Sequence, residues 1–282
     1  MCLVFSDFLS KTLDSFPLDP ETIKILKEGQ QLYRQAFTHP SADPVYNYQI
    51  LEQLGDVAIG KFMVQYFYER FRHLNTTPGV KIVARLRIKY GSQQELSQLA
   101  EDLHFWDYID LKNGISSSVR KAAIMEDVFE AFIGATEVLL NQAYSKSLQT
   151  KIHSLGYECV YAILKFLFDR KPITLTYEHL FDAKTRLKEL CDSFSQVEVK
   201  YKIKKIPIEE IEAEDIVESQ NFGTRIEIYL VKDGGEQLIG SACSAVKCKA
   251  EQTAAEVALE TLKRLGYTKP VTKEYQELEC IN

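Results

Sequence analysis

Residues 49–58, which read QILEQLGDVA, decide the fold of the first half of this chain. Apolar side chains recur there every three or four residues, the spacing that predicts an amphipathic helix. Glu52 and Asp56 stand four residues apart and therefore share one face of that helix, one turn above the other. Two like charges so placed destabilise a helix, and they do so more strongly when they are buried.

A second stretch repeats this arrangement. Residues 124–132 read IMEDVFEAF, in which Asp127 and Glu130 lie three residues apart and again share a helical face. Carboxylates from two packed helices could hold Mg²⁺, or Mn²⁺ in its place, with water and a substrate phosphate completing the coordination. Such an ion would activate water for attack on phosphorus. On spacing alone, the solvated faces of two ordinary helices explain the pattern equally well.

Composition limits the class of protein. Of the 282 residues, 45% are apolar and 26% are charged, so the chain should fold around a substantial core. The longest apolar run, near residues 160–168, is short and contains Lys165, which argues against a membrane span. The N-terminus lacks a secretory signal and the six cysteines are scattered, so we expect free thiols in an intracellular, reducing compartment, either cytoplasm or nucleus.

Net charge gives an ambiguous indication of the partner. The chain has 34 basic and 40 acidic residues, and a charge of −6 ordinarily disfavours a polyanionic ligand. Six of the acids fall within residues 206–223, which we interpret as a solvated acidic loop, and four form the two helical pairs. Setting those ten aside leaves 30 acids against 34 basic residues, a weakly positive balance.

The spacing of apolar residues changes after Arg170. Up to that point the apolar spacing is helical, especially over residues 50–68, 93–103 and 122–140, and then Pro172 interrupts it. We predict an α + β protein, in which an all-α domain is followed by a small α-β-β-β-α domain. The predicted boundaries are 1–170 for the helical domain, 171–181 for a linker, 182–267 for the second domain with its acidic insertion at 206–223, and 268–282 for a C-terminal tail.

The second half alternates in polarity in three places. Residues 197–205 place Val197, Val199, Tyr201 and Ile203 on one face, which predicts a half-buried strand. Residues 224–231 and 237–245 predict two further strands, joined through Gly234 and Gly235. Asp182 is a candidate N-cap for the helix before them. The final predicted helix, from about Lys247 to Leu265, has the following residues at core spacing: Ala250, Ala254, Val257, Ala258 and Leu262.

These motifs resemble the ribonuclease III family. The segments 37–41 (FTHPS), 51–56 (LEQLGD) and 126–135 (EDVFEAFIGA) look like successive motifs of its endonuclease domain. The segments 182–189 (DAKTRLKE) and 247–255 (KCKAEQTAA) resemble the double-stranded-RNA-binding domain that follows it in that family. The motifs stand in the family's order over nearly the whole chain.

The resemblance implies an endoribonuclease that cleaves double-stranded RNA and leaves 5′-phosphate and 3′-hydroxyl ends, with short 3′ overhangs. Its acidic quartet corresponds to Glu52, Asp56, Asp127 and Glu130, which would hold Mg²⁺ and serve as the catalytic residues. No small-molecule cofactor is implied. We interpret His39 as a packing or hydrogen-bonding residue rather than a catalytic one.

Two departures concern the first domain. Gln49 stands where the family usually has a further acid, and Gln53 stands where it usually has an aromatic residue that packs across a dimer interface. A glutamine there predicts a repacked or weaker interface, or a different partner. We still expect a homodimer, because two symmetric sites are needed to cut both strands.

In the RNA-binding half, the resemblance assigns RNA contacts to Thr185, Glu189, Lys247 and Lys249. Lys247 and Lys249 lie at a helix N-terminus, which favours phosphate. Cys248 replaces the usual lysine between them, and the acidic insertion replaces the loop that reaches the minor groove. Two alternatives remain open: a non-catalytic protein that binds or sequesters double-stranded RNA, and a catalytic subunit that is active only beside a different partner.

Overall fold

The computed structural model describes residues 2–112, 118–151, 153–194, 197–211, 222–232 and 234–270. Along the chain, one compact unit gives way to a second between Ile173 and Thr174. Most of the predicted acidic insertion (212–221) and of the C-terminal tail (271–282) lies outside the described residues. In the described part, no helix is long and apolar enough to cross a membrane.

The first unit is helical. Its helices are α1 (Cys2–Asp14), α2 (Pro20–Glu28), α3 (Gln30–Ala36), α4 (Gln49–Arg70), α5 (Gly79–Tyr90), α6 (Gln93–Asp102), α7 (Ser118–Ser147) and α8 (Leu155–Phe168). The three helices predicted from apolar spacing correspond to α4, α6 and α7, so those predictions are confirmed.

Helix α7 lies in the centre of this unit. All eight residues from Val128 to Ala135 are buried, as expected for a helix that is apolar on nearly every side. Aromatic side chains surround it, and the ring centroids of Phe132 and Phe105 lie 5.2 Å apart. Because α7 is central, Glu130 is buried in the core, and Glu126 and Asp127 are half-buried at its border.

The second unit has the predicted α-β-β-β-α order, which confirms the α + β class. Its elements are α9 (Tyr177–Leu180), α10 (Ala183–Asp192), β1 (Glu198–Pro207), β2 (Phe222–Lys232), β3 (Gly235–Ser244) and α11 (Lys247–Arg264). The strands form one antiparallel sheet in the order β1-β2-β3. The short helix α9 lies within residues 171–181, the range predicted as a linker.

Local sequence explains the ends of these elements. The side chain of Asp182 accepts a hydrogen bond from the Thr185 amide and caps α10, as predicted. Lys232 pairs with Gly235 across a two-residue turn, where Gly234 has φ +77°. Helix α11 packs closely on β3, since a Cβ added to Gly240 would lie 2.3 Å from the Ala254 carbonyl oxygen.

Two details of the predicted packing are wrong. Tyr201 and Ile203 were expected to be half-buried on β1, but both are classed as exposed, and Ile203 is 52% exposed. The reason is that α11 packs mainly against β2 and β3 and leaves this part of β1 uncovered. Val257, expected in the core, is also exposed, and Ala255 faces the core in its place.

Candidate active site

The site begins with two glycines that let α4 and α7 touch. A Cβ added to Gly55 would lie 1.8 Å from the Glu130 carbonyl oxygen, and one added to Gly134 would lie 2.1 Å from the Leu51 carbonyl oxygen. Any larger residue at either position would push the helices apart. The close crossing places the acids that flank Gly55 beside the acids of α7.

Five carboxylates interact at this crossing. Helix α4 contributes Glu52 and Asp56, and α7 contributes Glu126, Asp127 and Glu130; the negative charges of the other four raise the pKa of Glu130. The predicted quartet is therefore brought together, with a fifth member that was not assigned to the site. Glu126 lies four residues before Glu130, so helical spacing alone could have indicated it.

Burial makes the cluster costly when it is charged. Glu130 is only 8% exposed, and its burial, followed by the neighbouring acids, raises its pKa to about 8. Burial is also the largest cause of the raised pKa values of Glu52, Glu126 and Asp127. Asp56 lies on the exposed side of the group.

Two polar side chains orient members of the cluster, and the sequence did not indicate either of them. The Tyr48 hydroxyl donates a hydrogen bond of 2.8 Å to Asp127 Oδ2. The Gln93 amide, at the start of α6, donates one of 2.9 Å to Glu126 Oε2. Burial, followed by the hydrogen bond to Asp127, raises the pKa of Tyr48, so its hydroxyl keeps its proton.

His39 supports this arrangement from one side. Its ring packs edge-on against Tyr48, with centroids 5.6 Å apart, and its Nδ1 accepts a hydrogen bond of 3.0 Å from the Ser41 amide. Burial raises the pKa of Asp127, and its interactions with Tyr48 and then His39 offset part of that rise. These contacts agree with a packing and hydrogen-bonding role for His39.

The donor chemistry fits a divalent cation. Carboxylate oxygens are the ligands that Mg²⁺ and Mn²⁺ prefer, and a bound cation would offset the repulsion that raises these pKa values. Within the described ranges, no three His, Cys, Asp or Glu side chains are arranged as a ready-made metal site. The five acids thus share a cluster but do not surround a common point.

The glutamines that depart from the family's pattern are both exposed. The Gln53 amide approaches Glu52 Oε1 at 3.4 Å, on the rim of the cluster. The Gln49 backbone amide donates to the Asn47 side chain at 3.1 Å. Within the unit itself, neither side chain is a buried amide in need of partners.

In the second unit, the starts of α10 and α11 lie side by side. The Gln252 amide donates to Asp182 at 2.9 Å, and Glu251 forms ion pairs with Lys184 at 2.7 Å and Lys247 at 3.7 Å. These contacts bring the first turn of α10, which contains Thr185, next to the exposed lysines of α11. The N-cap residue of α11 is Val246, which makes no side-chain cap hydrogen bond.

The four residues predicted to contact RNA differ in the interactions that they make within the second unit. Lys247 and Lys249 are exposed. The Thr185 hydroxyl donates to Asp182 at 2.7 Å. Glu189 lies further along α10, where it accepts a hydrogen bond of 2.6 Å from the Tyr177 hydroxyl and pairs with Lys269 at 3.0 Å. Glu189 therefore has structural partners that its predicted role did not anticipate.

Together, the fold and site define a helical domain with a buried acidic cluster, followed by a small α-β-β-β-α domain. The family model of the ribonuclease III domain matches residues 49–138. A predicted ribonuclease 3 of Invertebrate iridescent virus 6 is 35% identical, over 89% of this chain and 85% of the viral protein. Ribonuclease 3 of Methylococcus capsulatus is 30% identical, over 82% of this chain and 88% of the bacterial protein.

The crystal structure of the nuclease domain of ribonuclease III from Campylobacter jejuni is 21% identical, with a TM-score of 0.44, over 60% of this chain and 97% of that domain. The match to the viral relative covers most of both proteins. The chain therefore belongs to the ribonuclease III family.

Proposed function

We propose that this protein is a Mg²⁺-dependent endoribonuclease that cleaves double-stranded RNA, leaving 5′-phosphate and 3′-hydroxyl ends with short 3′ overhangs. The observation that carries the proposal is the convergence of five carboxylates on the buried Glu130. A cluster with a perturbed pKa and a high cost of charging is typical of functional sites. Membership in the family supports the same activity.

In this proposal, Glu52, Asp56, Asp127 and Glu130 hold the ion. When bound, Mg²⁺ supplies Lewis-acid chemistry at the scissile phosphate and lowers the pKa of water. The close crossing at Gly55 and Gly134 fixes the two pairs of acids relative to each other. No side chain has to act as a covalent nucleophile.

We infer that the second unit binds the RNA duplex. The N-cap residue of α11, Val246, provides no side-chain cap, and the helix dipole together with the charges of Lys247 and Lys249 favours a phosphate there. Thr185 lies on the neighbouring helix, and Glu189 completes the proposed contact set. Recognition of A-form RNA by shape implies little preference for base sequence.

A homodimer is the proposed assembly. Helix α4 exposes apolar side chains at spacings of four, three, seven and four residues, which place them on one face: Ile50, Leu54, Val57, Val64 and Tyr68. Val57 is 71% exposed. Beside this face, between α4 and α5, lies a largely apolar groove of about 1120 Å³. Exposed apolar surface of this extent is typical of protein interfaces.

Sedimentation velocity tests the dimer. The wild type should sediment as a dimer, and Val57→Asp as a folded monomer with an unchanged circular dichroism spectrum. Ile203→Asp, which places the same charge at an exposed site of the second unit, is the control and should remain dimeric. A monomeric wild type would favour the catalytic subunit that needs a different partner.

Cleavage of a long RNA duplex tests the activity. Wild type with Mg²⁺ should produce short fragments, and sequencing of their ends should reveal 5′-phosphates and 3′-hydroxyls. Glu130→Gln should lose at least 10²-fold in rate, because it removes a proposed ligand of the ion. Glu137→Gln alters a partly buried glutamate two turns along α7, outside the cluster, and should cleave like wild type.

The rival function is a non-catalytic protein that binds or sequesters double-stranded RNA. The exposed glutamines at 49 and 53 are compatible with it. The buried acids argue against it, because a protein without an ion to bind would gain stability by losing Glu130. Duplex binding without cleavage by a dimeric wild type at any Mg²⁺ concentration would favour the rival, whereas the same result with a monomer would favour the subunit that needs a different partner.

A further inference from the structure

Tyr48 connects the two helices of the acidic cluster. It immediately precedes α4, and its carbonyl oxygen accepts a hydrogen bond of 2.9 Å from the Glu52 amide. Its hydroxyl donates to Asp127 Oδ2 on α7 at 2.8 Å. One residue therefore contacts the backbone of a proposed ligand on α4 and the carboxylate of a proposed ligand on α7.

Tyr48 is itself held rigidly. Its side chain is buried, and its own amide donates to the Thr38 carbonyl oxygen at 3.0 Å. The His39 ring packs edge-on against it, and the His39 amide donates to the Asp110 carbonyl oxygen at 3.0 Å. The hydroxyl thus approaches Asp127 from a fixed direction.

We propose that Tyr48 is a positioning residue that sets the orientation of Asp127 relative to Glu52 and so prepares the cluster to bind a divalent cation. This inference rests on the proposed function. Because the hydroxyl engages Oδ2, Oδ1 is the Asp127 oxygen that would be left to hold the ion. Partners that hydrogen-bond to metal ligands orient them, and their loss typically lowers metal affinity by about 10- to 100-fold.

The test is the affinity of RNA-free, full-length protein for Mn²⁺, measured by isothermal titration calorimetry. Tyr48→Phe keeps the ring and removes the hydroxyl, and it should raise the dissociation constant at least tenfold. Tyr66→Phe is the matched control, because Tyr66 is also buried and its hydroxyl donates to a carboxylate, Asp169, at 2.9 Å outside the cluster. That control should bind Mn²⁺ like wild type.

RNA cleavage supplies a second readout. Tyr48→Phe should need about tenfold more Mg²⁺ for half-maximal rate, yet approach the wild-type rate at saturating Mg²⁺, because the ligands themselves remain. A purely structural role would instead lower the melting temperature in EDTA, as we expect for Tyr66→Phe, without changing the Mg²⁺ requirement.

The outcomes separate this inference from the proposed function. If wild type binds Mn²⁺ and cleaves RNA while Tyr48→Phe matches it within twofold in both dissociation constant and Mg²⁺ requirement, the positioning role is wrong and the nuclease stands. If wild type neither binds Mn²⁺ nor cleaves, both proposals fail.

Discussion

Without metal, Glu130→Gln protein should be more stable than wild type at neutral pH, although it should be the poorer enzyme. Burial and four neighbouring acids raise the pKa of Glu130 from 4.5 to about 8. The folded state therefore binds this proton more tightly than the unfolded chain does. Stability from this group is complete below about pH 4.5 and is lost as the pH rises toward 8.

The size of the effect follows from the same shift. At about 1.4 kcal/mol per tenfold change in proton affinity, roughly 3 kcal/mol of unfolding free energy is lost by pH 7. A glutamine avoids this loss, but its buried amide costs about 1 kcal/mol. The net gain of about 2 kcal/mol corresponds to a rise of roughly 4–8 °C in the melting temperature of a unit this size.

Differential scanning calorimetry of both proteins in EDTA, from pH 5 to pH 8, measures the difference. The gap between the melting temperatures of variant and wild type should widen as the pH rises. Glu137→Gln should widen it less, because burial raises the pKa of Glu137 without a cluster of acids around it. Added Mg²⁺ should narrow the gap, because it binds the wild-type cluster. Parallel melting temperatures across this pH range would refute the claim that Glu130 is buried among interacting acids.

Three further predictions concern other parts of the molecule. Gly134→Ala should destabilise the first unit by about 3 kcal/mol in urea unfolding, because its methyl group would lie 2.1 Å from a backbone carbonyl oxygen. Gly60→Ala is the control and should be tolerated, because its methyl group would meet only a flexible guanidinium at 3.4 Å. Glu126→Gln should weaken Mn²⁺ binding by about tenfold in calorimetry. An unchanged affinity would show that Glu126 does not contribute to ion binding. For duplex RNA bound to cleavage-deficient protein, the dependence of log affinity on log salt should be shallow, and the double change Lys247→Ala and Lys249→Ala should reduce its slope by about 2.

The helices and strands were largely predictable because their signals are local. Apolar spacing located α4, α6 and α7, and alternation located the three strands. Burial on β1 was not predictable in the same way, because Ile203 has the pattern of a half-buried strand but α11 packs mainly on β2 and β3. Polarity patterns show which face is apolar, whereas the packing of distant elements decides whether that face is covered.

The candidate site shows the same limit. Two acidic pairs and the family's motifs identified four carboxylates, and helical spacing could have added Glu126. Tyr48 and Gln93 could not be found in this way, because they act across 79 and 33 residues of sequence on Asp127 and Glu126. Which residues lie close enough to hydrogen-bond the site depends on how the chain folds around it. No periodic pattern in the sequence indicates them.

Positive charge illustrates why counting residues is a weak guide to the RNA surface. Strand β1 looks basic in sequence, but in the sheet Lys200 and Lys202 share Glu236, and Lys204 pairs with Glu227. The start of α11 has no greater density of lysines. What distinguishes it is a helix N-terminus that its N-cap residue, Val246, does not cap with a side chain, so that the helix dipole adds to the lysine charge. We therefore expect a phosphate to gain more at α11 than at β1, and we propose α11 as the anion-binding surface of a protein whose net charge is −6.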